Sequence, residues 1–171
     1  QAERYHLEAR RAIQETPVVA IVDAAERRPG RRLPFDLLEV ADVVFHPKSA
    51  LLLYHSHARL LIGSGNLTFS GYSGNAELFF CAELAYDDAA DAGLLKIFSE
   101  YISRVAKLVR RRGSQLDLFR DELRRRLNAL PSSNESRELA LLDSTNGSLI
   151  NQLKELLPPK STIERIGVLA P

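Results

Sequence analysis

Five polar residues stand at the ends of apolar runs in FHPKSALLLYHSHARLLIGSGNLTFSGYSGNAELFF, Phe45 to Phe80: His46, Lys48, Ser64, Asn66 and Glu77. Side chains two apart on a strand share a face, so His46 and Lys48 project together with Pro47 between them. SALLLYHSHARLLIG then reads as two strands around a turn at His55-Ser56-His57, which returns the second strand toward Gly63-Ser64-Gly65-Asn66. In such a hairpin, positions near 48 and near 63 lie opposite each other, so the Ser64 and Asn66 pair comes back beside His46 and Lys48. Lys48 brings a full charge, Asn66 brings amide donors, and Gly65 allows close backbone approach. An imidazole adds a nucleophile or general acid near neutral pH. This set suits a phosphoryl group, whose transfer needs positioning and charge neutralisation above all. Glu77, at the start of the next strand, is a carboxylate of the kind that fixes a histidine tautomer.

Each residue also has a plain structural reading. His46 would serve as a satisfied strand-end histidine, Lys48 as a surface lysine, and Gly-Ser-Gly-Asn as ordinary turn chemistry. His55-x-His57 has the look of a zinc pair, but no Cys, Asp or further His stands at ligand spacing, and a tight turn accounts for both. Cys81, inside ELFFCAEL, reads as a small core residue rather than a nucleophile.

The elements that must position these residues follow from periodicity. AERYHLEARRAIQE has helical spacing and ends before Thr16-Pro17, and PVVAIVDAA is a β-branched strand. ERRPGRRLP is a loop; its arginines Arg27, Arg28, Arg31 and Arg32 read as solvated, with phosphate contact as the sharper alternative. NAELFFCAELAY is a further strand. Asp87 and Asp88 start a helix through DDAADAGLLKIFSEYISRVAKLVRRR, and Gly113-Ser114 ends it and caps a second, SQLDLFRDELRRRLNAL. PSSNES is a polar linker, after which RELALLDS reads as a strand, GSLINQLKELLPP as a helix and STIERIGVLAP as a strand. Alternation of this kind predicts an α/β layered fold.

Composition sets the outer bounds. The 171 residues are 45% hydrophobic and 26% charged, as in a globular protein, and a net charge of +1 gives no bulk argument for a nucleic-acid partner. One cysteine excludes a disulfide framework and points to a reducing, cytoplasmic setting. No apolar stretch is long enough to cross a bilayer. A start at Gln1, the absence of methionine and a stop just after IERIGVLAP read as a piece of a longer protein.

His46-x-Lys48, then Gly63-Ser64-Gly65-Asn66-Leu67-Thr68, then Asn75-x-Glu77 resembles the signature of the phospholipase D superfamily. The resemblance runs from about Val18 to Val109. One position departs from it: the Asp that the fuller pattern carries five residues after the Lys is Leu53 here. Tyrosyl-DNA phosphodiesterases and bacterial nuclease-like branches also lack that Asp, so the resemblance points away from phospholipid cleavage. It implies a phospholipase D-like sandwich, a mixed β-sheet flanked by helices, as one unit of a tandem or dimeric pair. Residues 1–130 would form that domain, 131–137 a linker, and 138–171 the start of a second, truncated α/β unit.

By the same resemblance the protein is expected to hydrolyse a phosphodiester in nucleic acid, DNA in particular, or a nucleic-acid adduct. His46 would attack phosphorus or protonate the leaving group, by way of a phosphohistidine. Lys48 and Asn66 would hold the non-bridging oxygens with Ser64 in support, and Glu77 would hydrogen-bond the other ring nitrogen of His46. Neither metal nor cofactor would take part. The family uses two such histidines, so the second must come from another subunit of a homodimer or from a second motif beyond Pro171. Two alternatives stand beside this: a phospholipid or other phosphodiester hydrolase of the same superfamily, and a non-catalytic nucleic-acid-binding or scaffold module of a larger complex.

Overall fold

The β-branched run after Pro17 forms β1 (Val19–Asp23), which ends in a 3-10 turn at Ala24–Glu26. The structure, a computed structural model, describes residues 8, 11–26, 33, 35–66, 74–111, 113–129 and 140–157. The chain divides into two compact units: Gln1–Pro47 with Ile102–Leu130, and Lys48–Tyr101 with Pro131–Pro171.

In the first unit β1 pairs in parallel with β2 (Asp36–Val40), Val19 opposite Asp36 and Asp23 opposite Val40. Residues 11–15 are helical, as the sequence spacing predicts. A long helix, α1 (Ala89–Leu108), has its last turns here, and α2 (Ser114–Asn128) packs against β1 and β2. Among this unit's described residues, Leu38, Val40, Val105, Leu116 and Leu123 are the buried apolar ones.

Helix α2 starts at the expected Gly113-Ser114, but without a side-chain cap of its own. Gly113 holds the capping position in an extended conformation with no side chain to offer, and Ser114 is already helical. The acceptor comes from β2 instead: the Gln115 N–H donates to Asp36 Oδ2 at 2.9 Å. A Cβ on Gly113 would stand 2.4 Å from that same oxygen and 2.9 Å from Leu38 Cδ2. The absent side chain is therefore what lets the carboxylate of a strand cap a distant helix.

The second unit holds the hairpin. β3 (Ser49–Leu53) and β4 (His57–Gly63) are antiparallel, with Ser49 opposite Ile62 and Leu53 opposite Ala58. β4 pairs in turn with β5 (Phe79–Ala85), Gly63 opposite Phe79 and His57 opposite Ala85, giving the order β3-β4-β5. Ala58, Leu60, Ala82 and Leu84 share one buried sheet face, and α1 adds the buried apolar side chains Leu94, Leu95 and Phe98 in this unit. The predicted acidic start of α1 is present: Asp88 Oδ1 accepts the Asp91 N–H at 2.9 Å. Asp91, 4% exposed, accepts the Ala85 N–H at 2.9 Å and so ties the end of β5 to the first turn of the helix.

Two expectations are corrected. Cys81 is exposed rather than a core residue, because in the β4–β5 register it falls on the face opposite Ala82 and Leu84. Residues 140–143 form no strand. The side chain of Asp143 accepts the N–H and the hydroxyl of Thr145, which turns the chain into a 3-10 turn at Ser144–Asn146 instead of a ladder. The helix expected next is α3 (Leu149–Leu156). The arginine-rich loop at 27–32, Leu67 and Thr68, the linker and the closing strand lie outside the described residues. What the described residues establish is a mixed α/β chain with one parallel and one antiparallel sheet.

Candidate functional site

The boundary between the units falls between Pro47 and Lys48, so His46 belongs to the first and Lys48, Ser64, Asn66 and Glu77 to the second.

In the second unit the antiparallel register does what the hairpin reading requires. The ladder continues one step beyond β3, with the Gly63 N–H donating to the Lys48 carbonyl at 2.9 Å. Lys48, half-buried, is thereby fixed at the same sheet end as the Gly63-Ser64-Gly65-Asn66 turn. Gly63 is needed for its close contact: a Cβ there would lie 2.3 Å from the Phe79 ring and 2.9 Å from the Leu78 carbonyl oxygen. β5 closes the arrangement from the other side, since the Ser64 N–H donates to the Leu78 carbonyl at 3.0 Å.

Ser64 and Glu77 meet directly. The Ser64 hydroxyl donates to Glu77 Oε2 at 2.5 Å and accepts the Leu78 N–H at 3.1 Å, while Asn75 Nδ2 donates to Glu77 Oε1 at 3.3 Å. The carboxylate is thus oriented by one residue from the GSGN turn and one from its own NAE segment. An ionised carboxylate has about four acceptor positions, so two donors leave room for a third. Gly65 is buried and Asn66, next along, is exposed.

In the first unit His46 is exposed, at the end of an irregular segment that follows β2. Its anchor is a residue that the motif reading passed over. Asp23, the last residue of β1, accepts the Phe45 N–H at Oδ2 (2.9 Å) and the Ala25 N–H at Oδ1 (2.8 Å). These two amide donors, Phe45 foremost, hold the Asp23 carboxyl below the ordinary carboxylate range, and the charge of His46 adds to the effect. The sequence did contain a signal, an acidic residue closing a β-branched run. A cleft of about 440 Å³ opens beside it, at the C-terminal ends of the two parallel strands. That is the edge at which open α/β sheets bind ligands.

His57, the first residue of β4, has partners close by in the sheet and the turn. His57 stacks on Tyr54 with ring centroids 4.6 Å apart, and its Nδ1 lies 3.2 Å from Ser56 Oγ. His57 Nε2 is 3.8 Å from Glu83 Oε2, which also accepts from Arg59 at 2.8 Å. Among the described residues no group of three or more His, Cys, Asp or Glu is arranged to hold a metal ion, and no helix is long and apolar enough to cross a membrane. Comparisons with family models, with curated proteins and with solved structures yield no match to this chain.

Proposed function

We propose that the protein is a metal-independent phosphodiesterase of the phospholipase D type, acting on nucleic acid or a nucleic-acid adduct. The observation that carries this reading is the register of β3 and β4. It sets the Lys48 backbone against Gly63 and leaves Ser64, one residue on, hydrogen-bonded to Glu77. The GSGN turn and the NxE segment thereby meet at the sheet end that carries Lys48, and His46 precedes Lys48 by two residues in the sequence.

In the proposed reaction a ring nitrogen of His46 donates its lone pair to phosphorus and the bond from phosphorus to the leaving oxygen breaks. The leaving alkoxide takes a proton from a second imidazole. Water, giving its proton back to that imidazole, then attacks the phosphohistidine and releases His46 with the phosphate. Lys48 and Asn66 stabilise the charge on the non-bridging oxygens, and the Glu77 carboxylate, already oriented by Ser64 and Asn75, orients the ring of His46. The second imidazole belongs to a second copy of the chain or to a further motif. The phospholipase D-like sandwich as a fold is part of the same proposal. Leu53 in place of the usual Asp favours nucleic acid over phospholipid.

Substrate class is tested by offering the protein single-stranded DNA, double-stranded DNA and phosphatidylcholine vesicles, all in EDTA, beside Lys48→Ala. The reading expects DNA cleavage and a loss of at least about 100-fold in Lys48→Ala, the scale of losing one transition-state donor. Cleavage of the lipid alone would move the substrate to the phospholipid reading. DNA bound by both proteins and cleaved by neither would favour a binding module.

A further inference from the structure

Asp23 has no place in the pattern of motif residues, yet its two oxygens do separate structural work. Oδ1 accepts the Ala25 N–H and closes the turn that ends β1. Oδ2 accepts the N–H of Phe45, 22 residues further on and immediately before His46. The segment so held is irregular backbone. Residues 41–48 lie in no strand or helix, Asp42 takes a left-handed φ of 67°, and Val44 is 93% exposed. Asp42 pairs with an exposed partner, Arg110, at 3.4 Å. A short bond from an amide to an ionised carboxylate is among the stronger fixings a backbone can have. β1, paired along its whole length with β2, is the rigid element from which it acts.

We propose that Asp23 is a positioning residue for His46: by holding the Phe45 amide to the end of β1, it sets where the imidazole stands for phosphoryl transfer. The inference rests on the reading of His46 as the phosphoryl acceptor. Asp23 touches neither substrate nor phosphorus in this scheme; it acts through the backbone. The Phe45 amide is also the first cause of the lowered pKa of its carboxyl, as expected where the ionised form accepts the bond.

The test compares wild-type protein, His46→Ala, Asp23→Asn and Asp23→Glu, with bis(p-nitrophenyl) phosphate as substrate in EDTA, together with amide hydrogen exchange. Asparagine keeps one acceptor oxygen and turns a donor toward the second amide, so one of the two bonds is lost. Asp23→Asn is expected to lower kcat by up to about 100-fold, the scale of misplacing a reacting group by an ångström. KM should stay within about twofold, since phosphate binding is untouched. Exchange at the Phe45 amide should quicken by about tenfold or more while the β3, β4 and β5 amides hold their protection. Asp23→Glu, which keeps both acceptors, should recover part of the rate.

A rate that His46→Ala abolishes and Asp23→Asn leaves unchanged overturns the positioning inference alone. Loss of protection throughout the chain in Asp23→Asn also overturns it, because the residue would then serve the fold and not the histidine. A wild-type rate that His46→Ala leaves unchanged overturns the catalytic reading on which the inference stands. In that case, Phe45 exchange still reports whether Asp23 holds the loop.

Discussion

The Ser64 hydroxyl is bonded twice, donating to Glu77 at 2.5 Å and accepting from the Leu78 amide at 3.1 Å, so that one side chain joins the GSGN turn to the start of β5. Ser64→Ala removes both bonds and leaves Glu77 with the longer Asn75 contact. The expected cost is about 1–2 kcal/mol in urea unfolding at neutral pH, the range for lost bonds that include a charged acceptor. Phosphodiesterase activity should fall by about tenfold or more, because the carboxylate loses its orientation. A variant with wild-type stability and rate would show that this pair is incidental.

Gly63 is a close-approach glycine. An added Cβ meets the Phe79 ring and the Leu78 carbonyl oxygen, and the latter is fixed by its bond to Ser64. Gly63→Ala is therefore expected to destabilise by about 1–3 kcal/mol, as overpacking does, and to weaken inorganic phosphate binding by shifting Ser64. Equilibrium unfolding and phosphate titration read the two effects separately. An unchanged unfolding midpoint would mean that the strands part at no cost there.

Glu122 on α2 is gripped by Arg125 and Arg126, the nearest contacts being 2.7 and 2.6 Å. The bond to Arg125, with help from Arg126, lowers its pKa from the ordinary 4.5 to about 2. Because the folded value lies below the unfolded one, this stabilisation is complete above pH 4.5 and is lost as the pH falls through 2. The Glu122 side chain is about a third exposed (35%), so solvent screening reduces the contribution to about 1 kcal/mol. Glu122→Gln should lower stability by that amount at pH 7, and the difference should close between pH 4.5 and 2 in urea melts. A difference that is constant with pH would contradict the linkage.

Much of the scaffold was legible because it rests on local signals. The two apolar runs of Ser49–Gly63, broken at His55-Ser56-His57, mark a hairpin, and the helical period after Asp88 marks α1, whose first turn Asp88 caps. What escaped depends on partners distant in sequence. Cys81 looks like core in ELFFCAEL because its adjacent residues are apolar; only the packing shows that the covered sheet face is the one bearing Ala82 and Leu84, opposite the thiol. The strand expected across 140–143 fails on one side chain, since Asp143 offers the backbone of Thr145 a turn in preference to a ladder. Asp23 closes β1 and Asp36 opens β2, and their work, holding Phe45 and capping α2, lies 22 and 79 residues away. Within the site, the hairpin return of Gly63 to Lys48 was readable from strand length, whereas the Ser64–Glu77 bond was not, because Ser64 had been given to the phosphate.

The central claim, phosphoryl transfer at His46 without a metal, is tested most directly by trapping the intermediate. A labelled phosphodiester whose label remains with the phosphoryl group is mixed with protein in EDTA, quenched in alkali, and the peptides are mapped by mass spectrometry. The account expects an alkali-stable, acid-labile phosphoryl group on the peptide carrying His46, absent from His46→Asn. Turnover in EDTA with no adduct at His46, or an adduct that survives in His46→Asn, would contradict it.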